Sequence, residues 1–348
     1  MNKIKAAIIG STGYVGEELA RILANHDNVE LKYLTSKSYT GQQYSDVYQN
    51  FNHISNMECS QSDIETIAQD VDVIFIALPH GIAAQTVTSE ILKKTKVIDL
   101  GADFRIKDKN VYEKWYACEH KGEEVLREAV YGLSEIYRGE IKNARLVANP
   151  GCYTTCSILS LYPLLKEDLI NKDSIIIDAK SGVTGAGREL SLGVHYCEVN
   201  ESTKAYKIAS HRHTPEIEQE LSAALNKEVI VQFTPHLIPM SRGILATCYA
   251  KIKDGIDLRK VKQAYCKYYE NEYFIRLLKD EVCPETKWVK GSNFLDIALF
   301  YDERTNNLIV TGAIDNLLKG AAGQAVQNMN IMFGFDEKEG LKSVPIFP

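Results

Sequence analysis

Seven residues near the N-terminus constrain this chain more than any others. Gly10-Ser11-Thr12-Gly13-Tyr14-Val15-Gly16 follows the apolar run Lys3–Ile9. It opens a stretch, Gly13–His26, in which Val15, Leu19, Ile22 and Leu23 recur at helical spacing. Glycines there permit a tight turn and close approach of the backbone to a diphosphate. The helix N-terminus adds N–H donors and a partial positive charge. A glycine loop alone is weak evidence. Placed between a strand and a helix at the head of the chain, this G-x-x-G-x-x-G variant predicts a dinucleotide site.

The pattern after the loop supports that reading. Val29–Leu34, Val71–Leu78, Lys96–Leu100 and Arg145–Ala148 read as buried strands, and Ile82–Lys93 as a helix between two of them. A β-α-β succession implies a parallel sheet with helices on both faces. The second half differs. Helices are predicted over Thr154–Leu165, Pro215–Leu225 and Leu258–Tyr269, and strands over Ser174–Ala179, Val229–Thr234, Ile244–Ile252, Phe294–Tyr301 and Leu308–Thr311. This α+β order implies a mostly antiparallel sheet. A last helix, about Asn316–Phe333, carries Leu318, Ala322, Ala325 and Met329 on one stripe and is expected to return to the first domain. The divisions expected are 1–150, 151–315 and 316–348.

Composition narrows the class. At roughly 150 residues per domain, 348 residues suggest two domains. Hydrophobic residues at 45% and charged residues at 25% exclude a mainly disordered chain. A formal charge of −6 and a pI near 5.8 show no basic footprint for nucleic acid. No apolar run approaches the roughly 18 residues that span a bilayer. The first strand begins too early to leave room for a signal peptide, so a cytoplasmic, membrane-free protein is expected. Eight cysteines without a C-x-x-C pair suggest neither a disulfide framework nor a zinc site.

The end of the second strand addresses the choice of dinucleotide. NAD sites usually place a carboxylate there, against the ribose 2′-hydroxyl. This chain has Thr35-Ser36-Lys37-Ser38. Hydroxyls and a cation suit a 2′-phosphate, so NADP is expected, with Ser36 and Lys37 at that phosphate.

The chemistry concentrates in a few segments. In Ala148-Asn149-Pro150-Gly151-Cys152-Tyr153-Thr154-Thr155, Pro and Gly break the chain and set Cys152 at a helix N-terminus. The helix dipole favours thiolate there, which makes Cys152 the candidate nucleophile. Cys156, one turn on, is expected to face the packed interior. In Ser210-His211-Arg212-His213-Thr214-Pro215-Glu216, Thr214 is a plausible N-cap and Pro215 a first helical residue. An extended entry would point His211 and His213 the same way, with imidazole pKa values lowered by the dipole, able to exchange protons near pH 7. H-x-H lacks a third ligand, so no metal is expected. Arg105, in Asp99-Leu100-Gly101-Ala102-Asp103-Phe104-Arg105, follows a parallel strand and could fork onto a phosphate. Ser181-Gly182-Val183-Thr184-Gly185-Ala186-Gly187-Arg188 is either a close backbone approach to a ligand or a mobile loop.

These residues together resemble the N-acetyl-γ-glutamyl-phosphate reductase family of arginine biosynthesis. The likeness is carried by GSTGYVGEEL at 10–19, ALPHG at 77–81, DLGADFR at 99–105, YGLSE at 131–135 and NPGCYTT at 149–155. It continues through SGVTGAGR at 181–188, HRHTPEI at 211–217, PHLIPMSRG at 235–243 and DNLLKGAAGQAVQN at 315–328. The resemblance implies a Rossmann domain joined to an α+β catalytic and dimerisation domain, in a homodimer or homotetramer. It implies NADPH-dependent reduction of N-acetylglutamyl phosphate through a thioester on Cys152, with His211 as acid/base and His213 its neighbour. The glycine loop, Ser36, Lys37, Pro79, Ser181, Gly182, Asn316 and Gly320 would line the cofactor. Arg105, Asn149, His213, Arg188 and Arg242 would meet the substrate. Two other readings compete: an aspartate-semialdehyde dehydrogenase with the same chemistry on a shorter substrate, and a non-catalytic NADP-binding sensor. A thiol-redox role is disfavoured, since Cys152 has no C-x-x-C partner.

Overall fold

The structure is a computed structural model describing residues 3–61 and 63–347. The chain forms two compact units, residues 1–150 with 321–342, and residues 151–320 with 343–348.

The first unit is built on β1 (Ile4–Ile9), β2 (Val29–Thr35), β3 (Cys59–Ser60), β4 (Val73–Ile76), β5 (Lys96–Asp99), β6 (Ala129–Tyr131) and β7 (Leu146–Ala148). They pair in the order β3-β2-β1-β4-β5-β7-β6, all parallel. The order reverses direction between β1 and β4, the position where open α/β sheets bind ligands at their carboxyl ends. β1 leads from there into the glycine loop and helix Tyr14–Leu23. Val73–Ile76 is buried throughout, as a central strand covered on both faces must be. The strands β3 and β6, two and three residues long, are too short to leave a periodic signature.

The helix expected over Ile82–Lys93 is two short helices, Ala83–Thr86 and Ser89–Lys94. Val87 turns extended, and the Thr88 hydroxyl accepts the Ile91 N–H at 3.4 Å, so Thr88 caps a new helix. A threonine side chain competes here with helical continuation.

The segment 316–348 does not travel as one piece. Residues 321–342 cluster with the first unit, while 316–320 and 343–348 cluster with the second. The helix begins late: Leu318–Ala322 is a wide π-type turn, closed by Gly320 N–H to Asp315 O at 3.0 Å, and the α-helix is Gly323–Phe333. Small residues allow that helix to come close, and amides hold it. Gln324 Nε2 donates to Gly132 O at 3.0 Å and Ser134 Oγ at 2.7 Å; Asn328 Nδ2 donates to Gly132 O at 2.8 Å. A Cβ on Gly132 would lie 2.6 Å from Asn328 Nδ2, so only glycine fits.

The second unit contains β8 (Ile176–Ser181), β9 (Lys204–Ala205), β10 (Gln232–Leu237), β11 (Ile244–Lys251), β12 (Ile275–Leu277), β13 (Leu295–Asp302) and β14 (Asn307–Ile314). Their order is β12-β13-β14-β11-β8-β10-β9. Pairs β13–β14, β14–β11, β11–β8 and β10–β9 are antiparallel; β8–β10 and β12–β13 are parallel. Along β11, Ile244, Ala246, Cys248 and Ala250 are buried and alternate with more exposed residues, the period-2 mark of a sheet covered on one face. The strand expected over Val229–Thr234 lies three residues later, because its register is set by β8, Gln232 opposite Ile176 through Leu237 opposite Ser181.

Helix Cys152–Lys166 runs through Pro163. Proline cannot donate to the carbonyl four residues back, Leu159 O. Tyr269, on helix Leu258–Tyr269, donates its hydroxyl to that oxygen at 2.6 Å, so the bond missing from the helix is supplied from outside it. Among the described residues no helix is long and apolar enough to cross a membrane.

Candidate active site

The glycine loop of the first unit is shaped by close contacts. Gly10 has φ +87°, and a Cβ there would sit 2.6 Å from Ala77 O. A Cβ on Gly16 would meet Gly10 O at 2.3 Å, which fixes how near the helix lies to the loop. Gly13 is different: only Gly10 O lies within 4 Å of its Cβ position, so the backbone is open there. Gly13 is the N-cap of the helix and Tyr14, Val15 and Gly16 are its first residues. An open backbone at a helix N-terminus is the setting in which phosphate groups bind.

Neutral hydroxyls strap the loop. Tyr44 Oη donates to Ser11 O at 2.8 Å and Tyr48 Oη to Thr12 O at 2.9 Å. Ser11 is buried, its N–H and hydroxyl both on Thr35 O at 2.8 and 3.0 Å. Thr12 Oγ1 lies 2.8 Å from Ser36 Oγ. Ser36, expected at a 2′-phosphate, is thus buried and joined to the loop, whereas Lys37 beside it is exposed. Pro79 is exposed as well. Neither tyrosine strap shows in the sequence pattern, because each is more than thirty residues from its partner.

Beyond β5 lies a buried charge cluster. Asp103 accepts Gly81 N–H at 2.6 Å, Ala84 N–H at 2.9 Å and the Tyr112 hydroxyl at 2.7 Å, so it anchors the turn after β4. Burial, with Asp103 adding to it, pushes the Asp99 carboxyl up to about 7. Arg105 is not an outward fork. It is buried, donating Nε to Asn149 O at 2.7 Å and Nη2 to Leu100 O at 2.8 Å. Asn149 is also turned inward, Nδ2 to Ala321 O at 3.1 Å and Oδ1 accepting from Asn328 Nδ2 at 3.1 Å. Both residues, expected at the substrate, hold backbone and side chains of their own unit, because buried donors must find partners.

In the second unit, Cys152 is the first residue of helix Cys152–Lys166 and is half-buried. Cys156 is fully buried, and burial pushes its thiol up to about 12, which leaves it inert. Gly320 stands against Cys152: a Cβ on it would lie 2.7 Å from Cys152 Cβ. Its glycine is required by the cysteine.

The entry to helix Thr214–Leu225 is a turn, not an extended segment. His213 is the N-cap with helical φ and ψ, so Thr214 and Pro215 are already helical. Thr214 N–H bonds His211 O at 3.0 Å, and His213 N–H donates to His211 Nδ1 at 3.1 Å. The two rings are neighbours, centroids 4.8 Å apart, because of this turn. With Nδ1 accepting, neutral His211 carries its proton on Nε2. That nitrogen lies 3.4 Å from Tyr206 Oη, Tyr206 donates to Tyr153 Oη at 3.3 Å, and Tyr153 donates to His236 O at 3.2 Å.

The expected titration of His211 near pH 7 is overturned. Burial among Tyr153, Tyr206 and Phe233, helped by His213, Lys207 and Arg212, pushes its pKa down to about 2. Desolvation of the imidazolium outweighs every other cause. Burial likewise pushes the Tyr206 phenol up to about 12, with the charge of Cys152 adding to it. Tyr153 adjoins the cysteine in sequence, but nothing in the spacing marks Tyr206.

The remaining candidates divide. Gly182 donates its N–H to Gly243 O at 2.9 Å, and a Cβ on it would meet Ser241 O at 2.6 Å. Ser181 is buried with its hydroxyl on Gly182 O. Asn316 ties this loop to the next, Oδ1 accepting Gly243 N–H at 2.7 Å and Nδ2 donating to Thr184 Oγ1 at 3.0 Å. The close approach at Gly182 is therefore to the protein's own backbone. Arg242 Nη1 lies 3.6 Å from the buried Asp315 carboxylate, and Arg188 is exposed. Among the described residues no cluster of three His, Cys, Asp or Glu could hold a metal.

Comparison with known proteins matches this geometry. Residues 5–144 match a family model described as the NAD binding domain of semialdehyde dehydrogenase, and residues 152–316 one described as its dimerisation domain. Fold and site thus define an oxidoreductase of the semialdehyde dehydrogenase class, with a nicotinamide cofactor. An aspartate semialdehyde dehydrogenase II from Vibrio cholerae shares the fold, with a TM-score of 0.73 at 17% identity over 96% of this chain and 99% of that one. Much nearer in sequence is an N-acetyl-γ-glutamyl-phosphate reductase of Lachnoclostridium phytofermentans, 56% identical over 99% of this chain and all of the relative. A reductase of the same name from Campylobacter jejuni is 55% identical over 98% of both. The chain belongs to the N-acetyl-γ-glutamyl-phosphate reductase family.

Proposed function

We propose that the protein reduces N-acetyl-γ-glutamyl phosphate to the γ-semialdehyde and phosphate, using NADPH, as a homodimer or homotetramer. The observation that carries this is Cys152: a half-buried thiol on the first residue of a helix, with Gly320 held small beside it, in a chain 56% identical end to end to a reductase of that name. The dimerisation model over residues 152–316 supports self-association.

The Cys152 thiolate attacks the acyl carbon, the C–O bond to phosphate breaks, and a thioester forms on sulfur. The glycine loop, with its open backbone at Gly13 and the helix N-terminus behind it, would hold NADPH, which would supply the hydride that reduces the thioester. The tetrahedral adduct on Cys152 then collapses, releasing aldehyde and thiolate. His211, neutral and protonated on Nε2, is the donor for the oxygen that gains charge in these steps. A neutral donor suits this role, since it stays in one protonation state across the working range. Lys37, exposed at the end of β2, is the cation for the 2′-phosphate. Arg242, beside Asp315, and the exposed Arg188 would meet a substrate anion, with Arg105 and Asn149 supporting the turn that precedes Gly151.

The test is phosphate-dependent reduction of NADP by N-acetylglutamate semialdehyde, beside the same assay with aspartate semialdehyde. Turnover with the first and little with the second is expected. The reverse preference would keep the thioester chemistry and overturn the substrate. NADPH binding without turnover of either would favour a sensor.

A further inference from the structure

Glu216 is a buried carboxylate that the reaction above does not use. It is fully buried in the first turn of helix Thr214–Leu225. Its Oε1 accepts the N–H of Gly151 at 2.9 Å and lies 2.8 Å from the Thr154 hydroxyl. Gly151 is the N-cap of the helix that begins with Cys152, and it has no side chain to cap with. In a capping box, a Glu three residues into a helix reaches back to the N-cap N–H. Here that position holds Thr154, whose side chain is too short for the reach. Its hydroxyl instead sits between Gly151 O at 2.6 Å and Glu216 Oε1. The missing half of the box comes from a second helix.

We propose that Glu216 is a positioning residue for Cys152, fixing the Gly151–Cys152 peptide so that the thiol stays at the helix N-terminus against Gly320. The arrangement has a physical logic. A buried carboxylate is costly unless hydrogen-bonded. Two helix N-termini converge on this one, each stabilising a negative charge. The carboxylate also belongs to the helix whose entry turn carries His211, so one residue ties the nucleophile and the imidazole to a common frame. Gly320 adds the opposing wall, which makes a shift of Cys152 toward it impossible without displacing backbone.

The inference rests on Cys152 being the nucleophile, and its test does not need the substrate. In the full-length enzyme, alkylation of Cys152 by iodoacetamide at pH 7 is followed by peptide mass spectrometry, which separates it from the exposed Cys197, Cys266 and Cys283. Glu216→Gln keeps an acceptor for Gly151; Glu216→Asp keeps the charge but falls a methylene short; Glu216→Ala keeps neither. Positioning predicts Cys152 alkylation about tenfold slower in Asp and Ala, with Gln within about threefold of wild type. Turnover should follow the same order, with kcat down about tenfold to a hundredfold in Asp and Ala and the KM for NADPH unchanged. Where Glu216→Ala fails to fold, the Asp and Gln pair carries the comparison. Equal impairment of Gln and Ala, or faster alkylation in both, would show that the charge matters rather than the reach, and would overturn the proposal. If no variant or wild type turns over either semialdehyde, the alkylation order still decides the role of Glu216, while the substrate reading fails separately.

Discussion

The glycine loop of the first unit and the cysteine turn of the second are the same device with different fastenings. In each, a strand ends, a glycine breaks the chain, and a helix begins on the next residue. The glycine loop is strapped by the neutral hydroxyls of Tyr44 and Tyr48, both on its carbonyls. The cysteine turn is gripped by the carboxylate of Glu216, on an N–H. Tying down carbonyls leaves the helix end suited to receive an anion from outside. Tying an N–H to a built-in carboxylate instead makes a rigid mount. One turn is left open at its helix end, and the other holds its first helical residue, Cys152, still.

That contrast predicts separable damage. The largest effect belongs to Cys152→Ser, which should lower turnover by at least about a thousandfold while NADPH still binds, read by fluorescence titration. Loss of cofactor binding together with turnover would break the division between the two turns. His211→Asn comes next, with kcat lower by about a hundredfold or more. Because the imidazole of the free enzyme is held neutral, with its pKa pushed down to about 2, kcat/KM should show no acid limb near pH 6.5 that belongs to His211. Such a limb in wild type, absent in the variant, would show that the ring titrates normally and that burial does not govern it. The smallest effect is expected at the rim of the glycine loop. Lys37→Ala should raise the KM for NADPH by about tenfold and leave that for NADH nearly unchanged. An equal rise for both would remove Lys37 from the phosphate.

Several residues show where sequence reading stops. Cys152 and Gly13 are placed by their immediate neighbours, strand before and helix after, and that order is written along the chain. The family resemblance implies that Asn316 meets the cofactor and Asn149 the substrate. The fold gives their amides to Gly243, Thr184, Ala321 and Asn328. Arg105 reads as a phosphate fork because it follows a parallel strand, yet two of its donors are satisfied by carbonyls of its own unit. For His211 the sequence shows a helix N-terminus, but the largest cause of its lowered pKa is burial in a cage of Tyr153, Tyr206 and Phe233, which the sequence does not show.

What the sequence by itself determined is local: the two turns, the helical and alternating periods around them, and the change from β-α-β order to an α+β order after residue 150. Those follow from backbone preferences and side-chain periodicity that act within a few residues. The tertiary structure alone decided the fastenings. Glu216 reaches Gly151 across 65 residues and Tyr269 relieves the proline-broken helix across 110. A buried donor or acceptor must be satisfied by whatever lies beside it in space, and spatial neighbours at such separations leave no periodic trace in the chain.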